Sequence, residues 1–135
     1  MIMIKKFDHV AMVVKDSEKT VRLLSNLFGF EAVESRANPE GGFKSTLISQ
    51  SDVTLELIEP TGPQGPIQSF VEKRGGGLHH VSIQVTDLDE EMTRLRSRGA
   101  QFVSNEPVQV TEDTRVVFIH PKSTDGLMVE LIERK

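Results

Sequence analysis

The chain has 135 residues, enough for one compact domain whose core two half-size modules can share. A net charge of −4, with no basic stripe interleaved with aromatics, excludes a nucleic-acid footprint, and no apolar run approaches the roughly 18 residues of a membrane span. Cysteine, tryptophan and tyrosine are absent, which removes disulfides, thiolate nucleophiles, cysteine-held zinc and phenolic acid–base chemistry. The expectation is a cytoplasmic protein with neither a nucleic-acid nor a membrane partner.

Residues 1–7 are too short for a signal peptide and lack a small-residue cleavage site, so they read as strand. The alternating, β-branched run over 7–14 continues it. Asp16 and Ser17 offer N-cap chemistry for a helix over 18–28, whose apolar face is Val21, Leu23, Leu24, Leu27 and Phe28. Gly29 suits its C-terminal cap. Strand follows over 31–35, loop over Asn38-Pro39-Glu40-Gly41-Gly42, and then a hairpin of 43–49 and 53–59. Module one, about 5–60, is therefore βαβββ. A linker over about 61–77 holds proline, glycine and a short helix over 67–73. Module two, about 78–135, repeats the plan: strand 79–85, a helix capped by Asp87 and closed by Gly99, then strands over 102–104, 115–120 and 127–132.

Two segments make the duplication explicit. Asp8-His9-Val10-Ala11-Met12-Val13-Val14-Lys15-Asp16 returns as His79-His80-Val81-Ser82-Ile83-Gln84-Val85-Thr86-Asp87, and Leu55-Glu56-Leu57-Ile58-Glu59 returns as Val129-Glu130-Leu131-Ile132-Glu133. His9 and His80 each precede a capping aspartate by seven residues. A single βαβββ unit has little core of its own, so one α+β domain over 1–135 is expected. Its two tandem modules would form one curved, cupped mixed sheet with the helices outside.

Strand side chains alternate faces, so His9 shares a face with Ala11 and Val13, and Glu56 points away from Leu55 and Leu57. His80 and Glu130 follow the same rule. One such histidine or glutamate is ordinarily structural, but four at equivalent positions of a duplication are not. Two imidazoles and two carboxylates suit an octahedral divalent metal and leave two positions for a chelating substrate. His79 aligns with Asp8, which is no ligand in this register. It is expected to pack on the outer face or to bond locally.

This paired pattern resembles the vicinal oxygen chelate superfamily, which includes glyoxalase I, extradiol dioxygenases, fosfomycin and bleomycin resistance proteins and methylmalonyl-CoA epimerase. The ligands carry over as His9, Glu56, His80 and Glu130, holding one Co, Mn, Ni or Zn ion per chain. Many epimerases have glutamine where this chain has Glu56, and an aromatic pair where it has Leu23-Leu24-Ser25-Asn26. Phe70 to His80, Leu57-Ile58-Glu59-Pro60 and His120-Pro121-Lys122-Ser123 look most like the epimerase branch. Glyoxalases and dioxygenases usually have a shorter turn at the last of these.

The resemblance implies an isomerase that interconverts (R)- and (S)-methylmalonyl-CoA by α-proton abstraction through a metal-stabilised enolate. It makes Glu40 the first candidate base and lets Glu130 serve as both ligand and proton carrier. Lys122 and Ser123 become contacts for the CoA phosphate or pantetheine. A homodimer is implied as well. The alternatives are a lactoylglutathione lyase like glyoxalase I and a non-catalytic drug-binding protein. A dioxygenase usually uses two histidines and one carboxylate, whereas Glu56 adds a fourth ligand here.

Overall fold

Every capping and turn signal in the first half has a structural counterpart. In the computed structural model, which describes residues 4–135, β1 (Ile4–Val13) leads into α1 (Ser17–Phe28), then β2 (Glu31–Asn38), β3 (Phe43–Gln50) and β4 (Val53–Pro60). The linker helix α2 (Pro66–Arg74) precedes β5 (Gly77–Val85), α3 (Leu88–Ser97), β6 (Val108–Thr111), β7 (Thr114–Ile119) and β8 (Val129–Arg134). The fold is α+β, and both modules follow the βαβββ plan. Residues 1–3 of the expected first strand lie outside the described residues. No helix among the described residues is long and apolar enough to cross a membrane.

The chain divides into two compact units: His9–His79, and the stretch up to Asp8 together with His80–Lys135. In the first, strands run in the order β2-β3-β4-β1, with β1 parallel to β4 and the other pairs antiparallel. Phe30, Ile48 and Leu57 form a core against Met12, Val14, Val21, Leu24 and Leu55, so α1 covers the face opposite His9 and Glu56. On the His9 face, Ala11, Val13 and Ile58 pack with Ile67, Phe70 and Val71 of the linker helix. The second unit repeats this with β5-β8-β7-β6, β5 parallel to β8. Its core of Val85, Leu88, Met92, Val117, Ile119, Val129 and Leu131 lies under α3, opposite His80 and Glu130.

The helix starts explain the second glutamate of each repeat. Asp16 accepts from the Lys19 N–H and Asp87 from the Glu90 N–H, as N-caps do. The next unpaired helix amides are taken by the sheet. Glu59 Oε1 accepts from Ser17 N (2.7 Å) and Ser17 Oγ (2.9 Å), and Glu133 Oε2 accepts from Leu88 N (2.9 Å). Three residues along a strand reverse the face, so one glutamate of the repeat faces the site and the other anchors the helix. Arg115 donates to Glu133 (3.0 Å) and to Asp89 (2.9 Å), completing the second anchor.

The third element of module two differs from expectation. Residues 102–104 are not a strand; Phe102 makes an isolated antiparallel bridge to Ile119. The strand at that place is β6, Val108–Thr111, hydrogen-bonded to β7. Phe102 carries an apolar signal because it packs against the α3 core, not because it extends a ladder.

Candidate metal centre

Each module brings one buried histidine beside one glutamate. In the first, His9 lies on β1 and Glu56 on β4, with His9 Nε2 3.2 Å from Glu56 Oε1. The other carboxylate oxygen, Oε2, accepts from Ser45 Oγ at 2.6 Å. Two donors bound cis to a metal at about 2.1 Å sit about 3.0 Å apart, so this pair fits shared coordination. In the second, His80 lies on β5 and Glu130 on β8, with Nε2 4.0 Å from Oε1. That separation is wider than the cis value. Ser82 Oγ donates to the same Oε1 at 2.8 Å, and the Phe118 ring meets His80 edge-on at 5.0 Å. Imidazole and carboxylate together suit a borderline divalent cation.

The two serines were not marked by the duplication. Register explains why: Ala11 is the β1 partner of Glu56, whereas Ser82 is the β5 partner of Glu130. Alanine cannot donate, so in module one the hydroxyl comes from the opposite neighbour, β3. Oriented ligand carboxylates of this kind are a usual outer-shell feature of metal sites.

His79 packs edge-on against Phe70 of the linker helix, with centroids 5.2 Å apart, and Arg74 lies over the Phe70 ring at 5.3 Å. Burial lowers the His79 pKa; the Glu56 charge opposes this and the Arg74 charge adds to it. Its neighbour is thus Phe70 of the cluster on the His9 face, which replaces outer-face packing, the first of the two placements expected from the sequence.

Glu40 sits in the turn between β2 and β3 with its side chain exposed. Lys122 and Ser123 lie in a single 3₁₀ turn, Pro121–Ser123, and both are exposed. His120 Nδ1 accepts from the Lys122 N–H (3.1 Å), which caps the turn. Ser123 Oγ accepts from the Gln101 N–H (2.9 Å), leaving its own O–H to donate elsewhere.

The chain is similar to known proteins in both sequence and fold. The profile of the Glyoxalase/Bleomycin resistance protein/Dioxygenase superfamily matches residues 8–118. The ethylmalonyl-CoA/methylmalonyl-CoA epimerase of Cereibacter sphaeroides is 34% identical over 131 residues, covering 96% of this chain and 98% of that one. The mitochondrial methylmalonyl-CoA epimerase of Dictyostelium discoideum is 31% identical over 132 residues, 97% of this chain and 80% of that one. Among solved structures, methylmalonyl-CoA epimerase from Mycobacterium tuberculosis superposes with a TM-score of 0.92 at 29% identity, covering 100% of this chain and 91% of that one. A Streptomyces coelicolor epimerase variant in complex with 2-nitronate-propionyl-CoA gives 0.87 at 27% identity, covering 97% and 98%. The chain belongs to the glyoxalase/bleomycin resistance/dioxygenase superfamily and, within it, to the methylmalonyl-CoA epimerases.

Proposed function

We propose that this protein interconverts the two C2 epimers of methylmalonyl-CoA, using one divalent metal per chain held by His9, Glu56, His80 and Glu130. The observation that carries the reading is the duplicated histidine–glutamate pair, each glutamate held by a serine, in a chain of the epimerase family. Cobalt, manganese, nickel and zinc all suit the donor set.

When bound, the metal supplies Lewis acidity beside the thioester and carboxylate oxygens, where negative charge grows as the α proton leaves. The remaining work belongs to the chain. Glu40 accepts the proton on one face of the α carbon, and Glu130 is the candidate to return one on the other. Ser45 and Ser82 hold the ligand carboxylates in one orientation. Lys122 meets a CoA phosphate as a point charge, with the free O–H of Ser123 beside it. The working form is a cytoplasmic homodimer.

The test is exchange of the substrate α proton with deuterated solvent. The purified, metal-loaded protein should catalyse both exchange and epimerisation of methylmalonyl-CoA, and a chelator should abolish both. Metal-loaded protein that exchanges no proton would remove the epimerase reading and leave a binding protein on this scaffold.

A further inference from the structure

The turn that carries Glu40 is held far more firmly than its composition indicates. Within the turn, the Gly41 N–H donates to Asn38 Oδ1 (2.8 Å) and the Gly42 N–H to Pro39 O (3.2 Å). A second layer comes from the segment after β4. The Thr61 N–H donates to Gly42 O at 2.9 Å. A Cβ on Gly42 would lie 3.1 Å from Gln64 O, and one on Gly65 would lie 3.3 Å from Gly41 O. Both glycines have left-handed backbone, φ +74° and +117°. Backbone therefore lies on backbone at two crossings, where only a hydrogen fits without displacement.

The same segment continues into the site wall. Gly65 is the N-cap of α2, and Ile67 of that helix packs with Ala11, Val13 and Ile58 on the His9 and Glu56 face. The turn is thus tied, through three linker residues, to the elements that present the first ligand pair.

We propose that Thr61, Gln64 and Gly65 are positioning residues that clamp the Glu40 turn and fix the carboxylate where it removes the substrate proton. The inference rests on Glu40 being the base. A base held by two backbone crossings keeps one placement through the catalytic cycle. A placement error of about 1 Å costs on the order of 100-fold in rate.

The experiment compares Gly65→Ala, Gly42→Ala and the control Gly62→Ala, each alone and combined with Glu40→Gln, in the full metal-loaded chain. A Cβ on Gly62 would meet nothing within 4 Å, and its φ is not left-handed, so that variant should exchange the α proton at the wild-type rate. Gly65→Ala and Gly42→Ala should lower kcat for exchange by about 10- to 100-fold, with KM and metal content within about twofold of wild type. In the Glu40→Gln background neither change should cost anything further, because both act through the same carboxylate. Equal losses in both backgrounds, or no loss in folded, metal-loaded variants, would overturn the clamp. Should Gly65→Ala not fold, Gly42→Ala probes the same crossings from the turn side. The underlying reading fails separately, if Glu40→Gln alone exchanges within about threefold of wild type.

Discussion

A metal ligand with two oxygens has to be told which one to present. Ser45 does this for Glu56 by occupying Oε2, so that Oε1 faces His9. Ser45→Ala should therefore weaken metal binding by about 10- to 100-fold while leaving the fold intact. Titration of the apo protein with Co²⁺ measures this directly, and an unchanged affinity would strip Ser45 of the role. His80→Ala and Glu130→Ala should instead lose stoichiometric metal and activity together. Metal retained at one mole per chain in either variant would refute the ligand set. At this scale the glutamates were legible because the pentapeptide repeats. The serines were not, because Ser45 and Ser82 come from non-equivalent strands and no local pattern joins them to a carboxylate.

Between residue and molecule, the recurring device is the strand glutamate that takes a helix amide. Glu133 is buried and receives both the Leu88 N–H and the Arg115 guanidinium. Glu133→Ala should cost about 2–4 kcal/mol, since it strands a buried amide and removes one partner of a partly buried cation. Among the described residues Glu59→Ala loses the Ser17 bonds, and it should cost about 1–2 kcal/mol. Thermal melts check the order: Glu133→Ala should melt lower than Glu59→Ala, and the reverse order would contradict the anchoring account. Caps made α1 and α3 readable, Asp16 with Gly29 and Asp87 with Gly99 marking their ends. The four-residue β6 was missed because it is short and exposed and follows Pro107, while the bulkier Phe102 nearby mimicked a strand. Its Val108-Gln109-Val110-Thr111 alternation before Glu112-Asp113 was the available hairpin signal.

For the molecule as a whole, the first unit leaves apolar groups in water. Leu23 and Leu27, one turn apart on α1, are exposed, as are Phe28 and, on the edge strand β2, Val33. Apolar surface beside an open strand edge favours association. Sedimentation at micromolar concentration should give a dimer, and Leu27→Glu should shift it towards monomer. A wild-type monomer would remove the homodimer from the proposal and leave the ligand assignment standing. The duplication itself was plain in the sequence. The placement of the unit boundaries was not, since they fall inside strands, at Asp8/His9 and His79/His80, where periodicity is unbroken.

Arg134 donates twice to Asp8, at 2.8 Å each, across 126 positions of sequence. The unit containing both is discontinuous, while His9–His79 is a single stretch. A ribosome delivers residues from the N-terminus at about 5–20 per second. All of His9–His79 is therefore synthesised before the other unit has its closing strand. The opening residues of β1 belong to the unit completed last, and the Arg134 guanidinium reaches Asp8 only once the final strand has emerged. Loss of Arg134 would remove both of these hydrogen bonds to Asp8 while leaving the pairing of β1 with β4 in place.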